Sequence, residues 1–168
     1  TAYFSVTPYN GIVYNHVAKY LQRPATTANI LDFKVLRVAE VLLNKAEAYA
    51  QNSPIKDEAK ALAALDKLRS NRYIGFVSPG ETGVALLNAI YLERRLELAF
   101  ENDRFYDLKR RNVPINRDAT HGDFADGSGT VTPAQYRTLA VTDKKWQMPF
   151  SQTAINVNPN LTQDLEWK

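Results

Sequence analysis

Between Ala85 and Arg111 the apolar residues Leu86, Leu87, Ile90, Leu92, Leu96, Leu98, Phe100, Phe105 and Leu108 recur at helical spacing, with no glycine or proline to interrupt them. The pattern predicts one continuous helix of roughly seven turns. Its polar positions are unusual. Glu93, Glu97 and Glu101 stand at successive i,i+4 positions, where like charges repel by roughly 0.2–0.5 kcal/mol per pair. Cations must meet them. Arg94 can reach Glu97 from the same helix, and Arg104 can reach Glu101 and Asp107; other cations are expected from packed neighbours.

A second helical pattern runs from about Phe33 to Gln51 and is apolar nearly all round, which predicts burial on most sides. Its exceptions, Arg37, Glu40, Asn44 and Glu47, fall three and four apart and share one stripe. That stripe is expected to face the glutamates of the long helix, because buried charges need partners. Ser53-Pro54 offers an N-cap and a first-turn proline for a further helix from about Ile55 to Arg72, with Ala61, Leu62, Leu65 and Leu68 inward. The two helices read as a hairpin of roughly tetratricopeptide-repeat length, without that repeat's own pattern. Residues 74–83 form a glycine- and proline-containing loop with Phe76 at its tip.

The flanks are less regular. Asn10-Gly11 between two β-rich runs predicts a hairpin whose central residues take positive φ, and 22–29 reads as a loop. Asn112 to Val131 is a long irregular stretch. Thr132-Pro133-Ala134-Gln135 predicts a capped short helix to about Ala140. Trp146 to Phe150 reads as an extended segment, and Asn156 to Leu161 as a turn. The expected organisation is a single mainly α domain over 1–168: a hairpin and loop lead-in at 1–32, a helical core at 33–111 and a loop-rich tail at 112–168, with a few short strands.

Composition narrows the function classes. The 168 residues are 45% hydrophobic and 23% charged, which suits one folded, soluble unit. A net charge of +3 with a single basic cluster at Lys109-Arg110-Arg111 fits a helix C-terminus better than nucleic-acid binding. With no cysteine, there is no disulfide, thiolate chemistry or lipidated thiol in this chain. No run approaches the 18 or so apolar residues of a membrane span, and the N-terminus does not read as a signal peptide.

Catalytic chemistry is hard to assemble. The glutamates lie on one helix face, whereas glycosidase carboxylates flank a sugar from two sides. His16 and His121 belong to no ligand motif, and neither a nucleophile elbow nor a phosphate loop is present. Asp118, Asp123 and Asp126 raise calcium binding, but the spacing of an EF-hand loop is missing. No cofactor and no metal is expected. Binding remains, and aromatics beside amides suit carbohydrate, since a pyranose presents an apolar C–H face with hydroxyl edges. The candidates are Tyr9 with Asn10, Tyr73 and Phe76.

The strings LRVAEVLLNKAEAYAQ from Leu36, ALAALDKLRSNR from Ala61, YLERRLELAFENDRFYDLKRR from Tyr91 and MPFSQTAINVNPNLTQ from Met148 together resemble the C-terminal part of the SusD/RagB family. The resemblance covers most of the chain from near Phe33 onward. It implies a helical fold of tetratricopeptide-like hairpins in a surface-exposed outer-membrane lipoprotein of a Bacteroidetes-type bacterium. Such proteins capture glycans, or in some members peptides, without catalysis, for a TonB-dependent SusC-like transporter. Arg37, Glu40, Glu93, Arg94, Glu97 and Glu101 match the family's motifs and are expected to hold the fold. Family members are longer and begin with a lipidated cysteine, so this chain reads as a C-terminal piece. A helical-repeat module for peptide or protein is the main rival reading, and a carboxylate-based glycoside hydrolase the second.

Overall fold

In the computed structural model, residues 4–17, 19, 35–121 and 127–164 are described, with 4–9 and 14–17 by their backbone alone. The chain is mainly helical. Strands β1 (Phe4–Tyr9) and β2 (Ile12–Val17) pair, and both residues of their turn have positive φ, Asn10 at 50° and Gly11 at 79°, as an Asn-Gly hairpin requires. Helices α1 (Val38–Ala50), α2 (Glu58–Arg69), α3 (Gly83–Glu97) and α4 (Arg104–Arg110) follow. Two-residue strands β3 (Ile115–Asn116) and β4 (Thr138–Leu139) and a short helix α5 (Gln152–Val157) complete the order. Contacts divide the chain into two compact units, one of Thr1–Ser5 with Val17–Arg104 and one of Val6–His16 with Phe105–Lys168.

The first unit is built on α1, α2 and α3. Ala39, Leu43, Ala46 and Ala50 of α1 meet Ala61, Ala64, Leu65 and Leu68 of α2, with Leu86 and Ile90 of α3 closing the core. Alanine at so many contact positions lets helix axes approach closely. The second helix does not begin at Ser53-Pro54. Lys56 N–H instead bonds Ser53 O in a turn, Asp57 N–H bonds Tyr49 O at 2.9 Å, and the Asp57 carboxylate caps α2 by accepting from Lys60 N–H at 3.0 Å. Glu58 then accepts from Gly83 N–H at 2.9 Å, tying the start of α2 to the start of α3.

The expected burial of the first helix is corrected by the structure. Only the face of Ala39, Leu43, Ala46, Glu47 and Ala50 is covered, and Val38 is 76% exposed, because α2 and α3 pack against that face alone. Phe33 lies outside the described residues, as do 22–29 and Trp167.

The long helix is also corrected. It stops at Glu97 and resumes at Arg104, with Phe100 and Asn102 at φ 64° and 61° between the two parts. A left-handed conformation costs a residue such as Phe roughly 1–2 kcal/mol. The break persists because side-chain cations take the carbonyls it frees. Lys19 Nζ donates to Glu97 O and Ala99 O at 2.8 Å each, and Arg37 Nη2 donates to Glu97 O at 2.9 Å. Periodicity does not report such a cap from distant residues.

In the second unit, Asp107 is buried and paired with Arg110 at 2.7 Å and Arg111 at 3.1 Å. The register of β3 with β4 is Ile115 to Leu139 and Asn116 to Thr138, antiparallel, and Arg117 N–H extends it to Arg137 O. That pairing draws Thr138 and Leu139 out of the helix expected to reach Ala140, leaving one 3-10 turn at Ala134–Tyr136. Another such turn, Lys144–Trp146, opens the segment expected to be extended. Helix α5 went unread in the sequence; Ser151 caps it, accepting from Ala154 N–H at 3.2 Å.

Truncating Leu65, which is fully buried, to alanine is expected to destabilise the chain by roughly 2–5 kcal/mol. Val38→Ser, on the uncovered face, is expected to fall within about 0.5 kcal/mol of the parent. Urea denaturation of both variants checks the contrast; a comparable loss in Val38→Ser would mean that this face is covered in solution.

Candidate functional site

The glutamates of α3 and the break are each met by cations from other elements. Glu93 accepts from Arg69 Nε and from the Tyr73 hydroxyl, both at 3.0 Å. Glu97 accepts from Arg37 Nη1 at 2.6 Å and from Arg72 Nε and Nη2 at 2.8 and 2.9 Å. Glu101 accepts from Arg37 Nη2 at 2.8 Å and from Lys19 Nζ at 2.5 Å. Arg94 turns away from Glu97 toward α1, where it bonds Asn44 Oδ1, and its Nη1 meets Asp103 at 3.3 Å. Glu40, half-buried on the α1 stripe, has no ion pair or side-chain hydrogen bond among the described residues. Arg104 opens α4.

Burial by itself would raise the pKa of Glu97, which is 3% exposed. Hydrogen bonds and charge from Arg72 and Arg37 outweigh that effect and hold it below the ordinary value. Arg37 and Arg69 show the reciprocal balance: burial opposes their charge, and the glutamates raise their pKa above the usual value. Carboxylates held in charge-assisted hydrogen bonds by arginine and lysine are stabilised in the ionised form, which suits ion pairing better than general acid–base work. The glutamates and their cations form a ladder of ion pairs, and Tyr73, bonded to Glu93, is exposed at its edge.

Tyr73 is 44% exposed although its hydroxyl is anchored on Glu93, and its ring lies 6.5 Å from that of Phe76 at 32°. Exposed Ile74 and Val77 belong to the same loop, which turns through Gly75 at φ 68°. An aromatic pair is thus presented to solvent on a charged base. Tyr73 and Phe76 are brought together; Asn10 sits exposed in the hairpin turn of the other unit, and the side chain of Tyr9 lies outside the described residues. Asp118 accepts from Thr120 N–H and Oγ1–H at 2.7 Å each and lies 2.6 Å from His121 Nδ1, while Asp123 and Asp126 lie outside the described residues. Those bonds from Thr120, with that from His121, pull the pKa of Asp118 well below the carboxylate range.

The second unit has a small cleft that sequence reasoning missed. It encloses about 180 Å³ between Leu108, Lys109, Asn112, Val113, Val141 and Trp146. Its residues come from two segments brought together by the α4 end and the 3-10 turn, a juxtaposition no local pattern signals. Lys19, Arg69 and Arg72 were likewise unread as partners of the ladder, although Arg69 and Arg72 stand three apart at the end of α2.

The SusD family model matches residues 5–167. The chain belongs to the SusD family. It is 35% identical over 107 residues to SusD-like protein P2 of Formosa agariphila, a match covering 56% of this chain and 21% of that protein. Two Bacteroides vulgatus crystal structures share the fold. A putative sugar binding protein aligns with TM-score 0.77 at 24% identity, over 97% of this chain and 35% of its own. A SusD superfamily protein aligns with TM-score 0.64 at 21% identity, over 97% of this chain and 34% of its own. The SusD-family chain therefore spans about a fifth to a third of these relatives. Among the described residues, no helix is long and apolar enough to cross a membrane.

The depressed pKa of Glu97 fixes a pH dependence. Its contribution to stability is complete above the unfolded value of 4.5 and is lost as pH falls through the lower folded value. Glu97→Gln is expected to lower stability by roughly 3–5 kcal/mol at pH 7, since it strips a buried pair of its charge. The gap between parent and variant should narrow steadily below about pH 4.5. Denaturation midpoints measured from pH 7 to pH 3 check this, and a gap that does not vary with pH would contradict the assignment.

Proposed function

We propose that this chain is part of a non-catalytic glycan-capture protein of the bacterial outer-membrane surface, handing oligosaccharide to a TonB-dependent SusC-like transporter. Family membership supports the glycan reading, as does the description of one fold neighbour as a putative sugar binding protein. The surface location and the transporter partner follow from what the family resemblance implies.

The observation that carries the proposal is the anchored, exposed Tyr73 ring beside Phe76. A tyrosine whose hydroxyl is already bonded to Glu93 keeps its ring in place, so a sugar stacking on it immobilises little further and loses correspondingly little entropy. Glutamates already engaged by arginine speak against hydrolysis of the bound glycan. The peptide-binding alternative draws on the exposed apolar residues of the first unit, such as Val38 and Val41.

A glycan-array screen followed by titration calorimetry tests the reading, with a parallel reducing-end assay. Binding without product release is expected. Tyr73→Ala should weaken it about tenfold or more, equivalent to about 1.4 kcal/mol, while Tyr73→Phe retains most of the affinity and loses some stability with the Glu93 bond. Release of reducing ends, or binding of peptides in place of glycans by a folded chain, would overturn the proposal.

A further inference from the structure

The cleft of the second unit has the features of a built site. Trp146 is 6% exposed, with Phe105 stacked on it at 5.0 Å and 36°. Its indole Nε1–H is committed to Ala140 O at 2.7 Å, so the ring offers the cleft hydrocarbon surface and no free donor. Leu108 adds to the floor, and Val113 and Val141 form apolar walls. The polar groups are Lys109 and Asn112. Lys109 Nζ donates to Trp146 O at 2.8 Å, which fixes the ammonium while leaving two of its three N–H groups for another acceptor. Asn112 holds a left-handed φ of 54° and bonds Lys109 O through its N–H. Its side-chain amide has no partner among the described residues and offers both donors and an acceptor.

A space of about 180 Å³ is well below the roughly 300–1,000 Å³ that houses a drug-sized ligand. It admits one ring and excludes an oligosaccharide lying lengthwise. An apolar side chain from a protein partner would fill the floor and walls but leave the amide and ammonium unused. A pyranose ring uses both kinds of surface, with C–H groups against Trp146 and Leu108 and hydroxyls toward Asn112 and Lys109. We propose that this cleft binds a single terminal pyranose ring, as a site separate from the Tyr73–Phe76 pair. The inference rests on the glycan reading and names a second place on the chain where that reading operates.

The test uses the full 168-residue chain, isotopically labelled, titrated with methyl pyranosides of glucose, galactose, mannose, xylose and glucuronic acid. At least one is expected to shift the Trp146 indole N–H and the Asn112 side-chain resonances saturably. Val113→Phe, which fills the cleft, should weaken that binding at least tenfold. Asn112→Gly, which suits the left-handed backbone, should weaken it threefold or more with the Trp146 resonance still dispersed, and serves if Val113→Phe does not fold. If no monosaccharide perturbs these signals, or if the perturbation survives in both variants, the cleft is not a sugar site. Oligosaccharide binding that depends on Tyr73 would then leave glycan capture standing, whereas a folded chain that binds neither monosaccharide nor oligosaccharide overturns both proposals.

Discussion

The first unit depends on the double engagement of Arg37. One guanidinium bonds the Glu97 carboxylate, the Glu97 carbonyl and the Glu101 carboxylate, with distances from 2.6 to 3.1 Å. It neutralises two neighbouring charges that would repel along a helix, and it caps the helix end between them. A lysine could not replace it, since the arrangement uses a fork of donors at fixed angles. Residues 98–103 then depart from helical geometry without leaving the Glu97 carbonyl unbonded. Arg72 completes the coordination of Glu97 and Lys19 that of Glu101, so the charged groups are partnered at the depth where isolated ones would be costly.

That arrangement was partly legible in the sequence. The three- and four-residue spacing of Arg37, Glu40, Asn44 and Glu47 put them on one stripe of the first helical pattern, and the four-residue spacing of Glu93, Glu97 and Glu101 gave a second line of charge. Two such lines on apolar helices have to face each other. Which cation meets which carboxylate was not legible, because i,i+4 geometry proposes partners on the same helix while the structure takes them from α1, α2 and Lys19. The continuous helix through Arg111 failed for the same reason: no glycine or proline marks residues 98–103, and the forces that end α3 come from residues 60 to 80 positions earlier in the chain.

The two candidate ligand surfaces differ in how they are held. The Tyr73 ring is exposed and is tethered through its hydroxyl to Glu93, itself paired with Arg69. The Trp146 cleft is held by packing against Phe105 and by hydrogen bonds to the main-chain carbonyls of Ala140 and Trp146. Local sequence pointed to the first through Tyr73 and Phe76 as separate candidates, and could not point to the second, whose walls come from residues 108–113 and 141–146.

Because Arg37, Arg69 and Arg72 precede their glutamates by 60, 24 and 25 positions, the order of synthesis matters. An intermediate in which α1 and α2 pair before α3 docks carries three arginines without Glu93 and Glu97 as partners. Its surplus positive charge opposes self-association while the third helix is awaited. In such an intermediate the charges that pair in the finished unit would favour solubility before their partners arrive.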